Sequence, residues 1–198
     1  MDTRLFIVGL CQGEIIDKAL LMQKLLSEKY KIYKRRLPPL HLTFEVVEAP
    51  EEQIIAKVKD AIFQASLKIS SFPIRTNGFA CFPPPYKSVG LLIEKNEELE
   101  SASGIIKKQL NRVGIYATNP FGKDRVYHLT IVNTFLADRK WSEEEFLEVC
   151  HVVDKVPLDL QGMVMQIALW HPTKVKETMS EGTFPLQNRK VVSINLET

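Results

Sequence analysis

Apolar and polar residues take turns along this chain in two rhythms, short apolar runs and longer stretches with apolar positions at helical spacing. Leu5 to Leu10 is a short apolar run that reads as a buried strand. Glu14 to Tyr30 sets Ile15, Ile16, Ala19, Leu20, Leu25 and Leu26 at helical spacing with charges between them, which predicts an amphipathic helix. A basic connector, Lys31 to Arg36, and the pair Pro38-Pro39 lead into a strand over Leu40 to Val47. Pro50-Glu51-Glu52 opens a second helix, because proline suits a first turn and acids suit the positive end of the dipole. That helix ends near Ser66. Leu67 to Phe82 reads as extended, with a turn signal at Asn77-Gly78.

Pro83-Pro84-Pro85 is the strongest breaker in the chain, and after it the pattern begins again. Val89 to Glu94 is an apolar strand, and Asn96-Glu97-Glu98 starts a helix that reaches about Val113. A loop through Asn119-Pro120-Phe121-Gly122 precedes a strand over Val126 to Phe135. Ser142-Glu143-Glu144-Glu145 has the form of a capping box. Leu158 to Trp170 and Val191 to Leu196 read as closing strands. Each half therefore follows one plan: strand, helix, strand, helix, strand. The plan predicts an α+β fold, a single domain spanning 1–198, of two duplicated β-α-β-α-β lobes related by approximate two-fold symmetry. The crossover between them is expected near 83–87.

Composition narrows the class only modestly. Apolar residues make up 45% and charged residues 25% of 198 residues, ordinary for a globular protein. The formal net charge of +2 is too small for nucleic-acid binding by bulk electrostatics, so any basic surface is local. No apolar run approaches the roughly 20 residues that span a bilayer, and the N-terminus lacks the layout of a secretory signal. Membrane association is not expected. Three cysteines, Cys11, Cys81 and Cys150, lie far apart without a C-x-x-C pair. They argue against a disulfide framework and for a reducing compartment, the cytoplasm or a nucleus.

Chemistry enters with the histidines. Two of the four occur in the same triplet, His41-Leu42-Thr43 and His128-Leu129-Thr130, each within an expected strand and at equivalent places in the repeated plan. Alternation along a strand sends His41 and Thr43 to one face, and His128 and Thr130 likewise. Two lobes packed with two-fold symmetry would bring two imidazoles and two hydroxyls to one cleft. A neutral imidazole can take a proton from an attacking water or ribose hydroxyl, while a protonated one gives a proton to the leaving oxygen. Imidazole titrates near pH ~6.5, so both forms are accessible near neutrality. The threonine hydroxyls can donate to phosphoryl oxygens as charge builds there. Either triplet alone would read as structural; it is the matched pair that points to function.

These motifs resemble the H-h-[T/S]-h pair, with h apolar, of the 2H phosphoesterase superfamily. Here they read His41-Leu42-Thr43-Phe44 and His128-Leu129-Thr130-Ile131, 87 residues apart. The resemblance extends over nearly the whole chain. It implies a bilobal fold with antiparallel sheets facing a central cleft. It also implies metal-independent action on RNA or nucleotide 2′,3′-cyclic or 2′,5′-linked phosphodiesters, with His41, Thr43, His128 and Thr130 as the catalytic set. No cofactor is expected, and a monomer is. The extension through Val132-Asn133-Thr134 is similar to the anchoring-protein and activating-cointegrator branch of that superfamily.

Further residues are candidates for substrate contact. Tyr86 beside the proline run and Tyr127 before the second histidine could stack on a base. Strand alternation alternatively turns Tyr127 into the core. Lys34, Arg35 and Arg36 precede the first triplet, and Lys123 and Arg125 precede the second, so basic side chains approach both histidines and could steer a phosphate. His151 and His171 read as structural or surface residues, and no histidine or cysteine spacing suits a metal. The competing reading is a non-catalytic nucleotide- or RNA-binding module that uses the same cleft.

Overall fold

The repeated plan is realised in order in the computed structural model, which describes residues 3–34, 36–118, 125–134, 137–172 and 180–188. The first half runs β1 (Arg4–Gln12), α1 (Glu14–Tyr30), β2 (Leu42–Glu48), α2 (Glu52–Ser66) and β3 (Phe72–Phe82). The second runs β4 (Ser88–Ile93), α3 (Glu97–Arg112), β5 (His128–Val132), α4 (Glu143–Val153) and β6 (Gln161–Trp170), followed by β7 (Ser180–Pro185). Helix α1 has the bounds that its periodicity predicts. Asn96 caps α3 by accepting from the Leu99 amide at 2.8 Å. The capping box of α4 is complete: Ser142 Oγ accepts from the Glu145 amide and Glu145 accepts from the Ser142 amide.

The strands form one antiparallel sheet in the order β1-β2-β5-β4-β3-β6-β7, and β1 also pairs with β6. Six strands thus close into a ring. The two halves interleave in it, because β3 pairs with β4 and β6 pairs with β1. The ring has two seams joining equivalent strands, β2 with β5 and β3 with β6. A main core that includes Phe44, Leu42, Leu129, Ile62, Leu99 and Ile106 lies between helices and sheet. A small second cluster, Val8, Ala168 and Trp170 with Phe6 and Leu10 against it, forms separately from that core.

Several expected bounds change. Leu67 to Phe82 is not broken at Asn77-Gly78: β3 continues through it with a register shift between Thr76 and Phe79, and Gly78 takes φ 82°. β5 is shorter than expected and begins at His128. The ladder of β2 begins at Leu42, one residue after His41, because Pro38 and Pro39 supply no N–H to extend it. β7 was not anticipated. The expected strand Val191 to Leu196, the loop residues Asn119 to Gly122, and Phe135 lie outside the described residues. Pro83 to Lys87 is the turn of the β3–β4 hairpin, with the Tyr86 and Lys87 amides bonded to the Pro83 carbonyl.

The cysteine reading is corrected. Cys81, near the end of β3, is disulfide-bonded to Cys150 of α4 across 69 residues of sequence. Separation along the chain did not measure proximity in space, so the spacing carries no information about compartment. Cys11 is free. Among the described residues no helix is long and apolar enough to cross a membrane.

Candidate active site

At the β2–β5 seam, Leu42 lies directly opposite Leu129. In an antiparallel pair the flanking residues then face one another, so His41 lies across from Thr130 and Thr43 across from His128. Directly opposed residues sit about 5 Å apart and diagonal ones about 7–8 Å. The two imidazoles occupy one diagonal of a four-residue patch and the two hydroxyls the other. Leu42, Phe44, Leu129 and Ile131 turn to the core at 0–1% exposure, while His41, Thr43, His128 and Thr130 are half-buried on the opposite face. Alternation and register together bring all four expected residues to one place. Among the described residues, neither threonine hydroxyl has a protein hydrogen-bond partner, which leaves both able to meet a ligand.

Both histidines are oriented by the same device. His41 Nδ1 lies 2.9 Å from the carbonyl of Pro39, and His128 Nδ1 lies 3.2 Å from the carbonyl of Val126. A carbonyl only accepts, so each Nδ1 is the protonated nitrogen and donates. Each Nε2 is left with the lone pair that acid–base chemistry uses. Burial pushes both imidazoles below their ordinary titration range, and the carbonyl bonds partly oppose that shift. The charge of His128 lowers His41 further, and Arg125 lowers His128. For both rings burial is the largest of these causes.

Aromatic rings that the sequence reading did not single out cap both imidazoles. Trp170 packs edge-on to His41 with centroids 5.0 Å apart, and Phe82 tilts over His128 at 4.4 Å. Trp170 is the last residue of β6 and Phe82 the last of β3, the third strands of their halves. Their matched positions in the duplicated plan were the signal that could have found them. Trp170 belongs to the second apolar cluster, so His41 stands on an apolar floor, which accounts for its desolvation.

A second repeated word also surfaces in the structure, Val8-Gly9-Leu10 in β1 and Val89-Gly90-Leu91 in β4. Gly9 pairs with Leu42 and Gly90 with Thr130, and the register shifts nearby, between Ile7 and Val8 in one strand and between Val89 and Gly90 in the other. A Cβ at Gly90 would lie 2.7 Å from the Leu129 carbonyl oxygen, and one at Gly9 would lie 2.8 Å from the Phe44 ring. Both strands carry glycine where they approach the HLT strands.

The remaining candidates separate. Arg125 is committed: it donates to Glu45 at 2.9 Å and to the Thr43 carbonyl at 3.0 Å, and stacks over Tyr127 at 5.1 Å. Glu45 is a buried carboxylate that the sequence reading missed. Burial pushes its carboxyl up, and Arg125 and then Lys107 pull it back. Tyr127 is buried at 3%, facing the core as strand alternation allows. Tyr86 is 57% exposed on the hairpin turn, where its carbonyl accepts from Thr134 Oγ1 at 2.7 Å. Arg36 is exposed on the connector before His41. Lys123, like Arg35, lies outside the described residues.

A duplicated β-α-β-α-β chain closed around a histidine-bearing seam has the 2H phosphoesterase-like fold. TT0787 of Thermus thermophilus superposes with a TM-score of 0.62 at 17% identity, covering 94% of this chain and 99% of that one. E. coli LigT in its apo form gives 0.57 at 13%, covering 94% and 98%. Kluyveromyces marxianus Usb1 with uridine monophosphate gives 0.51 at 12%, covering 93% and 99%. No family model and no curated relative matches the sequence.

Proposed function

We propose that the chain is a member of the 2H phosphoesterase superfamily. In this reading it cleaves 2′,3′-cyclic or 2′,5′-linked phosphodiesters of RNA or nucleotides by two-histidine acid–base catalysis. The observation that carries the reading is the matched pair of imidazoles at the β2–β5 seam, each with Nδ1 tied to a carbonyl two residues earlier. Structures of LigT with 3′-AMP, ATP and phosphate, and of Usb1 with uridine monophosphate, support a nucleotide ligand on this fold. With a 2′,3′-cyclic substrate, a neutral imidazole takes a proton from water as its oxygen bonds to phosphorus. The bond from phosphorus to one ribose oxygen breaks, and the protonated imidazole gives that oxygen its proton. Thr43 and Thr130 donate to the non-bridging oxygens. With a 2′,5′ linkage, the neighbouring 3′-hydroxyl takes the place of water. In the same reading the chain is one domain, with the 83–87 hairpin turn as the crossover between its halves. It acts as a monomer, since one chain supplies both histidines, and Arg125 serves by bracing β5 against β2.

Incubation with a 2′,3′-cyclic mononucleotide and with a 2′,5′-oligoadenylate tests this. Turnover should be lost by at least about a hundredfold in His41→Ala and in His128→Ala, and should be unaffected by a chelator. Activity that survives either substitution would overturn the mechanism. Binding without turnover would favour a nucleotide-holding module.

A further inference from the structure

Helix α1 buries a glutamine beneath the segment that carries the first histidine. Gln23 is 1% exposed, and its Nε2 donates to the Pro38 carbonyl at 3.1 Å. Among the described residues its Oε1 is buried without a hydrogen-bond partner. That atom identity is fixed by the bond itself, because only the amide nitrogen can donate to a carbonyl. A buried acceptor left unpaired costs stability; a leucine or methionine in this place would remove that acceptor but would leave the Pro38 carbonyl without its donor. The one hydrogen bond of this amide among the described residues ties α1 to the Pro38-Pro39 stretch.

The chain from Gln23 to the site is short. Pro38 and Pro39 have no N–H, and their rings fix φ, so this stretch is stiff and is held through its carbonyls. Gln23 holds the Pro38 carbonyl, and the next carbonyl, that of Pro39, accepts from His41 Nδ1 at 2.9 Å. We infer that Gln23 is a positioning residue for the proposed reaction: it anchors the Pro38-Pro39 strut and so fixes the orientation and tautomer of His41. This rests on the acid–base role of His41 given above. The amide touches no substrate; it acts through the carbonyl that His41 uses.

Gln23→Met keeps the length and unbranched shape of the side chain and removes the amide, and Gln23→Leu is the second variant. Nitrogen-15 NMR of the imidazoles reads the tautomer directly, with His128 as the control on the same molecule. The wild type should show His41 protonated at Nδ1. Both variants should show a mixture at His41, an unchanged His128 and a folded spectrum with at most a modestly lowered Tm. On the cyclic mononucleotide, kcat should fall about tenfold while KM stays within about twofold, because misorientation weakens the transition state more than binding. A His41 tautomer unchanged in the variants would overturn the proposal. So would loss of the folded spectrum in both, because the amide would then serve the fold. If the wild type itself shows no turnover but the tautomer still shifts, the positioning role stands and the proposed reaction falls.

Discussion

The first histidine and the second share one local design, yet they sit in different surroundings. His41 leans on Trp170, only 9% exposed, within the second apolar cluster, and the stretch before it is anchored by Gln23. His128 is capped by half-buried Phe82, takes its carbonyl bond from exposed Val126, and follows Arg125, whose guanidinium ties the approach to β2. Duplication reproduced the strand, the triplet, the Nδ1 bond and the aromatic cap. The supports differ: an apolar floor and a proline strut on one side, a buried ion pair on the other. A symmetric motif can therefore yield two imidazoles with unequal environments, which suits the proposed division into one proton donor and one acceptor.

Breaking the ion pair of the second side should have the largest effect on the fold. Arg125→Ala leaves Glu45, at 4% exposure, without its partner, and should cost about 3–5 kcal/mol at neutral pH. Without the arginine, burial raises the folded-state pKa of Glu45 further above its unfolded value. A raised pKa gives stability that is present below the unfolded value and lost as pH rises. The variant should thus recover part of its loss toward pH ~4.3, as denaturant melts at several pH values would show. A flat deficit across pH would contradict the assignment of Glu45.

The two glycines beside the HLT strands differ on a smaller scale. Gly90→Ala drives a Cβ into the backbone oxygen of Leu129, whereas Gly9→Ala meets the edge of the Phe44 ring, a side chain rather than backbone. The first should destabilise by about 1–3 kcal/mol and lower turnover by displacing β5; the second should cost less. Equal losses in thermal melts would mean the β1 side is as rigid as the β4 side. Smallest is Phe82→Leu, which removes the ring over His128 and keeps most of the apolar cover. We expect turnover to drop only severalfold, with the upper or lower limb of its pH profile moved by a fraction of a unit.

How much of this was legible depended on whether the signal was local. Helix α1, the cap of α3 and the capping box of α4 follow from patterns within a few residues, and they appear where the sequence puts them. The HLT pair was legible because repetition marked it. Trp170 and Phe82 were not, since each meets its histidine only when the third strand of one half enters the sheet of the other. Closure of the ring through β1 and β6, the Cys81–Cys150 bond and the Arg125–Glu45 pair are contacts between distant segments, and hydrophobic periodicity carries no information about them. Arg125 is instructive in another way. Its position before His128 suggested phosphate steering, but its five donors found a buried carboxylate and a backbone carbonyl first.

Two imidazoles of lowered basicity that act as one acid–base pair leave a signature in the pH dependence of the rate. That signature is read from kcat/KM on a 2′,3′-cyclic mononucleotide, because this quantity reports the ionisations of the free protein. Burial favours neutral imidazole in the folded protein, so each ring stays uncharged to lower pH than in solution. The profile should be bell-shaped, with its optimum on the acid side of about pH 6.5, where one ring of the pair is protonated and the other is not. A rate that rises to a plateau above neutrality, or one indifferent to pH across this range, would contradict the paired-histidine account.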